Sequence, residues 1–198
     1  VRAMRAVATT NTYLGTVLLL APLAAIPREV VCESGIAQVL AALGPDAARD
    51  VYEAIRLSAA GGLGKVDEAD IHDAPPASLI TAMQIASDRD LVARQYTNGF
   101  ADVLTRVVPW LKSGAAQDWA LEDTIIHAHV QMMAEQPDSL ISRKCGPHVA
   151  RESADRAARV LAQGDPYSAG YHAALSDLDF WLRSDGHRRN PGTTADLV

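Results

Sequence analysis

Leu178-Asp179-Phe180-Trp181-Leu182-Arg183-Ser184-Asp185-Gly186-His187-Arg188-Arg189-Asn190-Pro191-Gly192-Thr193-Thr194-Ala195-Asp196-Leu197 reads as a helix, a turn and the opening of a second helix. Leu178, Trp181 and Leu182 fall at helical spacing, and Asp179 and Arg183 lie one turn apart on another face, as an ion pair or a shared ligand would. Gly186 stops the first helix, Asn190-Pro191-Gly192 is a turn signal, and Thr193 or Thr194 is expected to cap a helix beginning at Ala195-Asp196. A helix start with unsatisfied N–H groups, two hydroxyls and a preceding Arg188-Arg189-Asn190 suits an anion, phosphate above all. An ordinary inter-helix turn with a Thr cap and a solvated basic loop would read the same way locally.

The same helical period runs through the rest of the chain. The 198 residues are 48% hydrophobic but only 5% aromatic; Ala and Leu dominate, β-branched runs are short and no segment alternates over strand length. The expectation is an all-α, single-domain multi-helix bundle over residues 1–198, with Gly/Asp-rich ligand loops. A net charge of −6 with mixed signs provides no polybasic surface for nucleic acid or an anionic membrane. Cys32 and Cys145 share no metal-ligand or disulfide spacing, which fits a reducing, cytoplasmic compartment. The apolar run Val17 to Ile26 is broken by Pro22 and is much shorter than the roughly 20 residues of a membrane span, so a buried helix is expected. Both ends read as if cut within helices.

Thr9-Thr10-Asn11-Thr12 precedes Tyr13-Leu14 and should cap that helix; Asn11 and Thr12 could also hold a ligand. Apolar periodicity gives a helix from Arg28 to Leu43, and a second capped by Asp46 and running to Ala60. Gly61-Gly62-Leu63-Gly64-Lys65 lets the backbone approach a ligand, but no Ser or Thr follows the Lys and no strand precedes, so a P-loop is excluded. Asp67, Asp70, His72 and Asp73 could hold Mg²⁺ through oxygen, directly or through water, or form a plain acidic loop.

Beyond Pro75-Pro76, Ser78 or Thr81 opens a short helix. Arg89 and Arg94 are guanidinium forks suited to phosphate, with Asp90 placed to orient either, unless the three form surface ion pairs. A helix from Val103 to Leu111 precedes one from Trp119 to Glu135, with Leu121, Ile125, Ile126, Val130, Met132 and Met133 as core candidates. His127 and His129 point to different helix faces and make a poor metal pair; structural or solvent-facing roles are expected. Arg143 and Lys144, before Gly146, can meet a polyanion together. His148 to Gly164 is a long amphipathic helix.

Several blocks, in order, resemble the triphosphoribosyl-dephospho-CoA synthase family: Asn11-Thr12, the Gly61–Gly64 loop followed by Asp67, Arg89-Asp90-x-x-x-x-Gln95-Tyr96, Pro137-Asp138-Ser139-Leu140-Ile141-x-Arg143-Lys144-x-Gly146, and Asn190-Pro191-Gly192-Thr193-Thr194-Ala195-Asp196-Leu197 after Leu178-Asp179-x-x-Leu182-Arg183. The chain departs from the citrate-lyase-associated members at Tyr13-Leu14, where those have a His followed by a basic residue. By the same resemblance, an amino-terminal Pro-Lys-Pro-Gly-like block and a final helix are expected outside residues 1–198.

The resemblance implies transfer of the triphosphoribosyl group of ATP to the 2′-hydroxyl of dephospho-CoA with release of adenine. It implies Asp179 or Asp196 as the carboxylate near the sugar, and Mg²⁺ on Asp67 and Asp70. Substrate would meet Asn11, Thr12, Gly62, Gly64, Arg89, Arg94, Arg143, Lys144, Asn190, Thr193 and Thr194, in a protein expected to pair as a homodimer. Two alternatives stand beside it: a related ribosyl or phosphoribosyl transfer in the making of a pterin or furan cofactor, and a helical nucleotide-binding protein without turnover.

Overall fold

The computed structural model describes residues 1–7, 13–58 and 70–198, and among these every regular element is helical. The chain forms two compact units, Val1–Ala101 and Asp102–Val198. The first contains α1 (Arg2–Val7), α2 (Leu14–Ala24), α3 (Cys32–Ala41), α4 (Pro45–Ser58), α5 (Leu79–Ala86) and α6 (Leu91–Asn98). The second opens with a π-helical turn, Val103–Val107, and continues through α7 (Val108–Ala116), α8 (Leu121–Glu135), α9 (Ser139–Cys145), α10 (Pro147–Leu161), α11 (Ala169–Arg183) and α12 (Gly192–Leu197). No described helix is long and apolar enough to cross a membrane.

In the first unit, α2 packs on α3, α4 and α6, burying Leu14, Leu19 and Pro22. The helix is apolar all round, yet Val17 and Leu20 are exposed, so the expectation of a fully buried helix is corrected to a one-sided one. Its Pro22 has no N–H, which removes the bond the Leu18 carbonyl would have received four residues back. The Tyr96 hydroxyl of α6 donates to that carbonyl at 2.5 Å. Burial raises the Tyr96 phenol to about 12, so it remains a donor throughout the ordinary pH range. Pro45 occupies the first turn of α4, which places Asp46 inside the helix rather than at the cap expected for it. The Ser78 hydroxyl caps α5 by accepting from the Thr81 amide.

In the second unit the packing turns on α10. Ala150, Ser153, Ala154, Ala157 and Val160 recur at helical spacing and are all buried, whereas Arg151, Asp155 and Arg159 face solvent. A face of such small side chains lets neighbouring helices come close, and α8, α9 and α11 all pack against α10. Val130 and Met133 of α8, Ala157 and Val160 of α10, and Tyr171 and Leu178 of α11 form one core cluster. Leu121, Ile125 and Ile126, expected in the core, are 69%, 42% and 42% exposed. Val130 and Met133 supply the α8 side of the cluster shared with α10, while Ala128 and Met132 are buried as well, and hydrophobicity alone did not distinguish the inward positions from the outward ones. The π-helical turn lies just ahead of Pro109, a residue with no N–H to continue a tight ladder.

Tyr96→Phe keeps the ring but strands the Leu18 carbonyl. Denaturant unfolding should show a loss of about 1–3 kcal/mol, while Pro22→Ala in the same background, which restores an N–H to the helix, should recover part of it.

Candidate functional site

The Pro137-Asp138-Ser139 block and the Pro191-Gly192-Thr193-Thr194 block, far apart in sequence, meet in the second unit. Asp138 is 2% exposed. Its Oδ1 accepts from the amides of Leu140 (2.8 Å) and Ile141 (3.0 Å), capping α9. Its Oδ2 accepts from the Thr194 amide (2.7 Å) and the Thr194 hydroxyl (3.0 Å), filling the same role for α12. One carboxylate thus serves the amino ends of two helices, where the positive ends of both dipoles favour its charge.

Thr193 reinforces the junction from the other side. Its Oγ1 accepts from the Ser139 amide (3.1 Å), the Ser139 hydroxyl (2.9 Å) and the Leu140 amide (3.2 Å). The expected cap at Thr193 or Thr194 is therefore corrected: α12 begins at Gly192, both threonines lie within its first turn, and both are buried. The position at which a phosphate was expected to meet that helix start is filled by the chain's own carboxylate. At Gly192 a Cβ would lie 2.8 Å from a terminal methyl carbon of Leu140, so a larger residue there would push that side chain aside.

His129 of α8 completes the cluster, with Nε2 3.2 Å from Thr194 Oγ1. Burial holds its imidazole below the usual 6.5, against the opposing charge of Asp138 and a hydrogen bond to the Pro191 carbonyl. His127, two residues earlier, faces elsewhere. It stacks on Tyr171, meets Trp119 edge-on and lies 3.1 Å from the Tyr171 hydroxyl. Burial depresses it too, against Asp165.

The cations around this junction divide into tethered and available. Arg188 donates to the Lys144 carbonyl (3.3 Å), and Arg189 donates to the Trp181 carbonyl (2.8 Å) while its guanidinium stacks 4.4 Å from the Trp181 ring centre. Arg156 stacks 4.6 Å from the same ring. Asp179 and Arg183 form an exposed ion pair at 2.7 Å. Arg143 and Lys144 occupy the last turn of α9, both half-buried. The Lys144 ammonium has no hydrogen bond or ion pair among the described residues. Asp196 is half-buried on α12, and Asn190 is exposed in the preceding turn.

In the first unit, Asp90 caps α6 through the Val92 and Ala93 amides at 2.9 and 3.0 Å. Arg89 is exposed in the turn before it, and Arg94 is half-buried on α6. Asp70 is buried, accepts from the His72 amide at 2.9 Å and starts a turn that Arg56 fastens by donating to the carbonyls of Ile71 and Asp73, each at 2.6 Å. The buried Tyr52 phenol senses this group: burial raises it, Asp70 and Asp73 add to the rise, and Arg56 and Arg89 oppose it. Asn11, Thr12, Gly62, Gly64 and Asp67 lie outside the described residues. Among the described residues no three His, Cys, Asp or Glu side chains gather as a metal cluster.

Sequence reasoning passed over Asp138, His129 and Tyr52 as members of these groups. Asp138 had a usable signal, an Asp directly before a Ser-Leu-Ile helix start. His129 had none, since Thr194 is remote in sequence, and Tyr52 had only Arg56 one turn on, with Asp70, Asp73 and Arg89 remote.

The family model for ATP:dephospho-CoA triphosphoribosyl transferase matches residues 1–198. No curated protein matches the chain. A crystal structure from Archaeoglobus fulgidus, provisionally named triphosphoribosyl-dephospho-CoA synthase, superposes with a TM-score of 0.68 at 22% identity, covering 92% of this chain and 77% of that one. At that identity the likeness is one of fold.

Asp138→Ala should cost about 2–4 kcal/mol, two charged caps together, whereas Asp138→Asn, with a single carbonyl oxygen, serves one helix only and should fall between alanine and wild type; chemical denaturation of the three proteins checks the order. The two histidines give a pH signature. Their folded values lie below 6.5, so the unfolded chain takes up protons first as pH falls, and stability present above about 6.5 is lost progressively below it. The melting temperature should therefore drop between about pH 7 and pH 5.5, and His129→Gln should flatten that drop.

Proposed function

The chain belongs to the ATP:dephospho-CoA triphosphoribosyl transferase family and is a transferase; from that premise we propose that it joins the 2′-hydroxyl of dephospho-CoA to C1′ of the ATP ribose. The bond from C1′ to the adenine nitrogen breaks, the new C1′–oxygen bond forms, the hydroxyl proton passes to a carboxylate that then releases it to solvent, and the departing adenine takes one proton from solvent. Cleavage at C1′ develops oxocarbenium character, as in glycoside chemistry. A nearby carboxylate stabilises that charge and takes the proton. The observation that carries this reading is the family match along the whole chain.

The roles we propose follow from exposure and partners. Asp196, half-buried on α12, suits the carboxylate role better than Asp179, which is exposed. Lys144 suits the triphosphate, as an ammonium with no protein partner among the described residues, and Arg143 beside it adds a planar fork. Thr193 and Thr194 support the site by building the α9–α12 junction rather than by meeting substrate. In the first unit Arg89 and Arg94 are assigned to phosphate oxygens. Mg²⁺ bound to a triphosphate needs only one or two protein carboxylates, a requirement that Asp70, together with Asp67, fits; the ion would neutralise phosphate charge.

The test is chromatography of free adenine after incubation with ATP and Mg²⁺, with and without dephospho-CoA. Adenine that depends on the acceptor is expected; ATP bound without adenine release would overturn the transfer. Lys144→Ala should raise the KM for ATP about tenfold or more, the scale of a lost charge-assisted contact, with the melting temperature unchanged.

A further inference from the structure

The proton inventory around Thr194 assigns a task to His129. Thr194 Oγ1 has one proton and three groups in reach that could take it, Asp138 Oδ2 at 3.0 Å, the Pro191 carbonyl at 3.1 Å and, in one tautomer, His129 Nε2 at 3.2 Å. The charged carboxylate is the stronger acceptor, so the hydroxyl proton belongs to it. His129 Nε2, 3.2 Å away, must then donate to the hydroxyl oxygen, which places a proton on Nε2. The chain of donors runs from α8 through Thr194 of α12 to Asp138, the cap of α9. Three helices are thereby fixed by one sequence of hydrogen bonds, and the two that carry Lys144 and Asp196 hang from its far end.

We propose that His129 is a positioning residue of the transferase: through Thr194 and Asp138 it sets the relative placement of the α9 and α12 first turns, and with them Lys144 and Asp196. It touches no reacting atom. This inference rests on the proposed transfer, and its test separates the two. Glutamine carries an amide N–H close to the position of imidazole Nε2, and leucine does not. His129→Gln and His129→Leu are compared with wild type by hydrogen exchange of the Thr194 amide, by melting temperature, and by kcat and KM for acceptor-dependent adenine release per folded molecule.

The expected result is a loss of about tenfold or more in both Thr194 protection and kcat for leucine, with a smaller change in KM and with glutamine near wild type. A merely structural histidine would lower the melting temperature and leave kcat of the folded leucine variant intact; that result, or glutamine failing as badly as leucine, overturns the proposal. If wild type releases no adenine, the transfer reading fails. The exchange arm then decides on its own: unchanged Thr194 protection in the leucine variant would sink the placement role, and selective loss in leucine alone would sustain it.

Discussion

The second unit depends on a buried carboxylate with four donors. Taking an ionised carboxyl out of water costs several kcal/mol unless its lone pairs are satisfied. Asp138 recovers that cost from the Leu140, Ile141 and Thr194 amides and the Thr194 hydroxyl. The dependence runs both ways. α9 and α12 have seven and six residues, too short to persist alone, so each needs the cap that the other helps to hold in place. The Asp138 charge, the two helix starts and the buried threonine pair form together or not at all.

A second constraint fixes the basic turn beyond α11. The Trp181 ring is flanked by Arg156 and Arg189, and Arg189 also reaches back to the Trp181 carbonyl. Each cation–π contact is worth about 0.5–2 kcal/mol, comparable to an ordinary net hydrogen bond. Two of them, with the Arg188 bond to the Lys144 carbonyl, outweigh the loop's tendency to wander. The basic residues that read as a solvated or phosphate-seeking run are thus occupied by the fold. On α9, by contrast, the Lys144 ammonium has no partner among the described residues.

The all-α fold was legible because apolar period is a local property: the stretch read as one amphipathic helix from His148 to Gly164 is α10, with Ala154, Ala157 and Val160 buried. Which side of a helix faces inward was less legible. Ile125 and Ile126 are as apolar as any core residue, but the small face of α10 accepts Val130 and Met133 instead. The threonines were singled out correctly as polar groups at a helix start, yet their partners lie some 55 residues away, and no local pattern encodes that. Pro22 and Tyr96 make the same point: the proline announces a carbonyl without a donor, and only the folded chain shows which side chain supplies it.

This division bears on how the site works. Residues of one sequence block can build a site or meet its ligand, and hydrogen-bond partners tell them apart. Asp138, Ser139, Thr193 and Thr194 have their polar atoms engaged within the protein, whereas Lys144, in the same block as Asp138, extends its charge with no partner among the described residues. The displacement proposed at ribose C1′ would tolerate little error in where Lys144 stands relative to Asp196, since misplacement of about 1 Å can cost a hundredfold in rate. Long side chains on separate loops could not hold that tolerance. Two short helices hung from one carboxylate can, because any shift of α9 against α12 must lengthen a charged hydrogen bond inside the protein before it moves Lys144 against Asp196.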